Sequence, residues 1–117
     1  MINGVHAVLF SEDADSVRAF FRDVLGFSSV DAGEGWLIFA LPPAELAAHP
    51  AMDGVKHELY LMCDDIEATV AELQGRGVQF TRPVSDEGWG LVTALAIPGG
   101  GELGLYEPRH PVPSHAA

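Results

Sequence analysis

Two histidines and one glutamate have the residue types and the placement of a metal centre. His6 and His57 each open an apolar stretch, and Glu107 closes another near the end of the chain. Two neutral imidazoles and one carboxylate suit iron, manganese, zinc, nickel or cobalt, and three protein ligands leave positions open for water and substrate. The pattern predicts a divalent transition-metal site in which Glu107 is a ligand and the candidate catalytic carboxylate.

The placement of these residues follows an internal repeat. His6 and His57 are separated by the same number of residues as Gly26 and Gly77, which end the two helical segments. The stretches GWLIFALPPAELAAHP and GWGLVTALAIPGGGELGLYEP also correspond, because each runs from Gly-Trp through an apolar strand and a proline turn to Glu-Leu and a final proline. We therefore predict two βαβββ modules, at 4–50 and 57–108, within a single domain 1–117.

The first module is predicted to contain one helix and four strands. An apolar strand covers 4–10, and a helix with capping candidates in 11–15 follows as far as Gly26, which suits a left-handed cap. Strands at 27–31 and 36–41 come next. Pro42 and Pro43 end the strand at 36–41, and a last strand follows at 44–49.

The second module repeats this order. A strand covers 57–63, Asp64 or Asp65 caps a helix that stops at Gly75 and Gly77, and further strands follow. Those strands cover 78–83, 91–97 and 102–107. The three-proline tail, 109–117, is predicted to be irregular, with His110 solvated. Trp89, in a turn flanked by glycines, is the strongest candidate for a residue that lines a pocket.

Composition narrows the class of protein. Seventeen acidic and six basic residues give a formal charge of −11, which disfavours nucleic acid and anionic membrane surfaces. Neither a secretory signal nor an apolar run of membrane-spanning length is evident, so we expect a cytoplasmic protein. A 48% apolar content in 117 residues suits one globular core.

These motifs together resemble the vicinal oxygen chelate superfamily, which includes glyoxalase I, extradiol dioxygenases and the bleomycin resistance proteins. The resemblance rests on VHAVLF followed by DADSVRAFFRDVLGF, on HELYLMCDDIEATVAELQGRGV, and on WG followed by a Pro-Gly turn and LGLYEP. It covers residues 4 to 108. It implies an α+β fold in which two tandem modules form a cup-shaped mixed sheet, and commonly a homodimer.

The resemblance also implies where metal ligands lie: at the start of the first strand, the end of the fourth, the start of the fifth and the end of the eighth. His6, His57 and Glu107 match three of these positions. His49 matches the fourth if His49-Pro50 is aligned with Glu107-Pro108, but falls out of register if Glu45-Leu46 is aligned with Glu102-Leu103. Both alignments remain open.

Two functions are consistent with this reading. The first is metal-dependent chemistry, glyoxalase-like or dioxygenase-like, on a small molecule whose neighbouring oxygens chelate the ion. The titratable groups to examine as a general base are Glu45, His49 and Glu107. The alternative is a non-catalytic protein that binds or sequesters a small molecule, as in the bleomycin resistance type, and needs no metal.

Overall fold

A computed structural model describes residues 6–45, 47, 50 and 57–111 of the chain. Two helices and six strands are formed in these residues. In chain order they are α1 (Ala14–Ala19), β1 (Ser29–Asp31), β2 (Leu37–Phe39), β3 (Tyr60–Met62), α2 (Ile66–Gly75), β4 (Phe80–Asp86), β5 (Gly90–Ala96) and β6 (Glu102–Pro108). A short π-helix, Phe20–Val24, continues α1.

The second module forms the predicted βαβββ unit. Its sheet has the strand order β3-β6-β5-β4, in which β6 pairs in parallel with β3 and antiparallel with β5. The module's first strand therefore lies beside its last strand, and α2 makes the crossover that a parallel pair requires. With α1 and the hairpin of the first module, this gives the mixed α+β fold expected from the sequence.

Helix α2 packs against one face of this sheet. Asp65 caps the helix by accepting a hydrogen bond from the Ala68 backbone N–H at 3.2 Å, and Gly77, with a φ of 86°, follows its end. Aliphatic residues from α2, β5, β6 and the adjoining turns form the buried core together with Phe20 of the first module. These residues are Phe20, Ile66, Leu73, Val78, Leu95, Ile97, Leu103 and Leu105.

The first module is less complete in the described residues. Asp13 caps α1 by accepting from the Ser16 N–H, and Gly26 has the left-handed φ of 74° predicted for it. The helix passes into the π-helical turn rather than continuing as an α-helix to Leu25. Strands β1 and β2 form a separate antiparallel hairpin.

Two predicted strands of the first module are wrong where the structure describes them. Residues 6–10 form no strand, and neither do Ala44, Glu45 and Ala47. Pro42 and Pro43 have no backbone N–H to donate, which disfavours a ladder at the start of the later segment. In the second module the first strand pairs with the last strand. The corresponding neighbour of residues 6–10 would be the segment 44–49, whose described residues form no strand.

No helix in the described residues is long and apolar enough to cross a membrane.

Candidate functional site

The described residues do not bring the predicted metal ligands into one group. His6 and His57 are both exposed, whereas Glu107 is half-buried at the end of β6. Among residues 6–45, 47, 50 and 57–111, no three His, Cys, Asp or Glu side chains come close enough together to hold an ion. His49 lies outside the described residues, so the four-residue ligand set stays a prediction.

Glu107 has a different partner in the structure. Its Oε1 accepts a hydrogen bond from the Ile66 backbone N–H at 3.1 Å, at the first residue of α2. The first N–H groups of a helix have no partner within the helix, and a carboxylate there also interacts favourably with the helix dipole. Glu107 shares a strand face with Leu103 and Leu105, which pack in the core beneath α2. Its carboxylate therefore supports the helix.

The opposite face of the same sheet carries three aromatic rings in mutual contact, which we call the aromatic cluster: Tyr60, Trp89 and Tyr106. The ring centroids of Trp89 and Tyr106 are 5.3 Å apart, those of Tyr60 and Tyr106 are 5.7 Å apart, and those of Tyr60 and Trp89 are 6.2 Å apart. All three pairs meet edge to face, the favoured geometry for aromatic rings. Trp89 keeps 42% of its surface exposed, whereas Tyr106 keeps 8%.

Two glycines make room for these rings. Gly104 lies opposite Tyr60 in the parallel β3–β6 pair, and a methyl group at Gly104 would overlap the Tyr60 ring. A methyl group at Gly90 would approach the Tyr106 ring to 3.0 Å and the Glu107 carbonyl to 2.9 Å. Glycine normally weakens a strand, so its presence in the two inner strands, β5 and β6, is explained by the rings that lie against it.

Tyr106 also belongs to a second group, which we call the polar cluster: Glu45, Tyr106 and His110. The Tyr106 hydroxyl donates to Glu45 Oε1 at 2.8 Å and lies 3.2 Å from His110 Nε2. Glu45 Oε2 is buried and has no hydrogen-bond donor within the described part of the chain. The polar cluster joins a residue of the first module to the last strand and to the beginning of the tail.

The polar cluster has fewer protons to donate than it has acceptors. His110 Nδ1 lies 2.8 Å from the Pro111 carbonyl, which can only accept, so Nδ1 carries the proton when the ring is neutral. His110 Nε2 is then an acceptor, and it competes with Glu45 Oε1 for the single proton of the Tyr106 hydroxyl. Together with the unpaired Glu45 Oε2, two acceptor positions in the polar cluster lack a donor.

The two tyrosines of the aromatic cluster remain protonated well above neutral pH. Burial, followed by the hydrogen bond to Glu45 and the charge of its carboxylate, raises the pKa of Tyr106 to about 12. The hydrogen bond from the Tyr60 hydroxyl to Glu58 Oε2, at 2.7 Å, is the main cause of the raised pKa of Tyr60. Both phenols therefore act as hydrogen-bond donors to carboxylates near neutral pH.

Sequence reasoning found part of this site. Trp89 was predicted to line a pocket, which stays a prediction, and its ring is partly exposed within the aromatic cluster. Tyr60 and His110 were missed, since His110 was expected to be solvated in the tail. Strand alternation places Tyr60 on the face opposite Leu59 and Leu61, and it places Gly104 and Tyr106 on one face of β6. An aromatic residue that faces a glycine on the neighbouring strand is the signal that indicates Tyr60.

Comparison with known proteins identifies the family. The chain matches the family model described as the Glyoxalase/Bleomycin resistance protein/Dioxygenase superfamily over residues 5–108. The protein therefore belongs to this superfamily, as the sequence motifs had indicated. No curated protein matches the chain significantly.

Several solved structures are similar over most of the chain. TnmS3, an antibiotic binding protein from Streptomyces sp. CB03234, is 28% identical, with a TM-score of 0.63, and the match covers 92% of this chain and 99% of that one. A superfamily member from Sphaerobacter thermophilus DSM 20745 is 26% identical, with a TM-score of 0.61, and the match covers 91% and 98%.

A lactoylglutathione lyase from Agrobacterium tumefaciens has the same fold at lower sequence identity. It is 15% identical, with a TM-score of 0.64, and the match covers 90% of this chain and 92% of that one. At this identity the likeness concerns the fold alone. Proteins described as a binding protein and as an enzyme thus share this architecture.

Proposed function

We propose that this protein binds a small molecule with an aromatic or other flat apolar surface, and that the aromatic cluster is where it binds. The observation that carries this proposal is the group of three edge-to-face rings from which the Trp89 ring projects, 42% exposed. A partly exposed tryptophan held by two other rings offers apolar contact area at little cost in side-chain entropy. The likeness to an antibiotic binding protein at 28% identity supports a binding role.

The two tryptophans provide a matched test. Trp36 and Trp89 occupy the corresponding Gly-Trp positions of the repeat, but Trp36 lies beside Arg18, whose guanidinium carbon is 5.0 Å from the indole centroid. Calorimetric titration with 2-methoxynaphthalene, as a minimal flat probe, compares the wild type with Trp89→Ala and Trp36→Ala. We expect Trp89→Ala to weaken binding about tenfold or more and Trp36→Ala to leave it unchanged. Equal losses in both variants would contradict the proposal.

Metal-dependent chemistry stays a prediction for this chain. The described residues do not fit a three-ligand centre, because Glu107 already accepts from α2 and the two histidines are exposed without a shared partner. No catalytic step through a metal follows from these contacts. The predicted set, His6, His57, Glu107 and His49, is tested by adding iron, manganese, zinc, nickel and cobalt in turn to the purified protein and measuring bound metal. Binding of about one ion per chain by the wild type, and loss of that binding in His57→Ala, would support the metal-dependent function.

We also propose that a second copy of the chain covers the exposed apolar residues of the first module. Phe10 is 92% exposed, and other large side chains beside it in sequence or in the hairpin are also exposed; these are Val8, Val30, Trp36, Ile38 and Leu41. Six of the ten exposed large hydrophobic residues in the described part of the chain belong to this module, and large apolar exposure is typical of a surface that meets a partner. A homodimer satisfies this need with a single self-complementary surface.

Sedimentation analysis tests the proposed dimer. We expect the wild type to be dimeric at micromolar concentration and Phe10→Glu to be monomeric, because a buried, unpaired charge strongly disfavours association. Val84→Glu, at an exposed residue of the second module, is the control and should remain dimeric. A monomeric wild type would contradict the proposal.

A further inference from the structure

The polar cluster lies beside the aromatic cluster, and the two share Tyr106. Its geometry leaves Glu45 Oε2 without a donor, and it makes Glu45 Oε1 and His110 Nε2 compete for one hydroxyl proton. A buried polar atom without a partner is destabilising, and such atoms are uncommon in native structures. An additional hydrogen-bond donor would therefore stabilise this cluster.

The side chains of the polar cluster are within reach of a molecule at the surface. Glu45 keeps 19% of its side-chain surface exposed and His110 keeps 32%, although the Oε2 atom itself is covered. A donor that reaches the Glu45 carboxylate can replace the Tyr106 hydroxyl there, which frees that hydroxyl to donate to His110.

The two phenol hydroxyls of the aromatic cluster have no proton left for a ligand's acceptor. The hydroxyl of Tyr60 donates to Glu58, and that of Tyr106 donates to Glu45, so both phenol protons are already used within the protein. A ligand's acceptor therefore finds no free proton on either tyrosine, and the remaining donor of the three rings is the indole N–H of Trp89.

We propose that the polar cluster recognises a hydrogen-bond donor, a hydroxyl or a protonated amine, carried by an aromatic ligand that lies on the aromatic cluster. This inference rests on the proposed binding function and names the ligand class for the same site. Glu45 accepts from the ligand's donor, and Tyr106 then turns its hydroxyl to His110. Glu45 and Tyr106 thereby each exchange one partner for another, and His110 Nε2 gains a donor when the ligand is bound.

The test compares probes that share one ring system. Calorimetric titrations use 2-naphthol, which donates a hydrogen bond, (2-naphthyl)methylamine, which is cationic near neutral pH, and 2-methoxynaphthalene, which has no donor. We expect the wild type to bind at least one of the two donor probes about tenfold more tightly than 2-methoxynaphthalene. Preference for the amine alone would show that the site selects a cationic donor. Preference for 2-naphthol as well would show that the site accepts a neutral donor too.

A matched pair of variants assigns the preference to Glu45. Glu45→Gln brings amide N–H donors into the polar cluster and should remove the preference for donor probes. Glu58→Gln makes the same change of charge at the carboxylate that accepts from Tyr60, and should keep the preference. Thermal melts check that both variants are folded.

The outcomes separate this inference from the proposed function. If all probes bind the wild type equally, with binding lost in Trp89→Ala, the aromatic cluster binds ligands and the role of the polar cluster is wrong. A donor preference that survives in Glu45→Gln overturns the inference in the same way. If no probe binds, or if binding is independent of Trp89, the proposed function fails and this inference fails with it.

Discussion

The second module buries a core of apolar residues between α2 and a four-stranded sheet, whereas the described part of the first module leaves Val8, Phe10 and Trp36 exposed. The two modules nevertheless share the same sequence pattern. In the second module, β6 holds β3 on one side and β5 on the other, so one strand organises the sheet. The corresponding segment of the first module follows Pro42 and Pro43 and forms no strand in its described residues.

This comparison shows how much depends on the last strand of a module. Glu102–Pro108 supplies core leucines to one face of the sheet and Gly104 and Tyr106 to the other, and it leads directly to His110. A strand with neighbours on both edges fixes the register of everything beside it. The described functional groups are accordingly concentrated in the second module, with Glu45 as the contribution from the first.

Core truncation should give the largest difference between the modules. Leu103 is 1% exposed within the core of the second module, whereas Ile38 is an exposed residue of the β1–β2 hairpin. Leu103→Ala should lower the free energy of unfolding by about 3 kcal/mol, because it removes buried methyl groups and leaves a cavity. Ile38→Ala, made in the monomeric Phe10→Glu background, should change it by less than about 0.5 kcal/mol. Urea unfolding of both variants checks this, and similar values would show that the hairpin is equally well packed.

Filling the space beneath the Tyr60 ring should have the next largest effect. Gly104→Ala would place a methyl group within that ring, so it should destabilise the protein by about 1–3 kcal/mol. Gly75→Ala is the control, since a methyl group at the end of α2 meets no atom within 4 Å, and helix propensity predicts a small gain. Denaturant unfolding curves compare the two. A neutral Gly104→Ala would mean that the Tyr60 ring does not lie over β6.

Alkaline pH should reduce stability through Tyr106. The pKa of Tyr106 is raised to about 12 in the folded protein, against about 10 in an unfolded chain, so its stabilising contribution is complete below about pH 10 and is lost as the pH rises toward 12. The wild type should lose about 2 kcal/mol more than Tyr106→Phe over this range. Unfolding free energies measured at several pH values test this, and parallel losses in both proteins would contradict the burial of the hydroxyl.

The role of Glu107 gives the smallest expected effect. Glu107→Ala should lower the free energy of unfolding by about 1 kcal/mol in the absence of metal, because the Ile66 N–H at the start of α2 loses its acceptor. Glu107→Gln keeps an acceptor oxygen and should recover most of this loss. Urea unfolding in the presence of a chelator separates this structural role from any role as a metal ligand. No loss in Glu107→Ala would exclude the helix contact.

The local pattern predicted most of the second module. Alternation in β3, the apolar run in β5, the cap at Asp65 and the glycine at Gly77 are all local signals, and all of these features are present. The predicted strand at 44–49 is wrong in its described residues, because strand propensity after Pro42 and Pro43 does not determine whether a neighbouring strand edge is available for pairing. Pairing between distant segments is not a property of either segment alone.

The site was less predictable from the sequence than the fold. Histidine and glutamate at matched ends of the repeat indicated a metal, but the end of a strand does not determine the face on which a side chain lies. Glu107 lies on the face that meets α2, whereas Tyr106 and Gly104 lie on the other. The contact between Glu45 and Tyr106 joins residues far apart in the chain, and no local pattern encodes it.

The proposed binding site is tested most directly by the two tryptophan side chains in one spectrum. Trp36 and Trp89 are the only tryptophans, so a ¹H–¹⁵N spectrum contains two indole N–H signals, which Trp36→Phe and Trp89→Phe assign. On titration with 2-methoxynaphthalene we expect the Trp89 signal to shift with saturation and the Trp36 signal to stay in place. A shift of the Trp36 signal alone would contradict the assignment of ligand binding to the aromatic cluster.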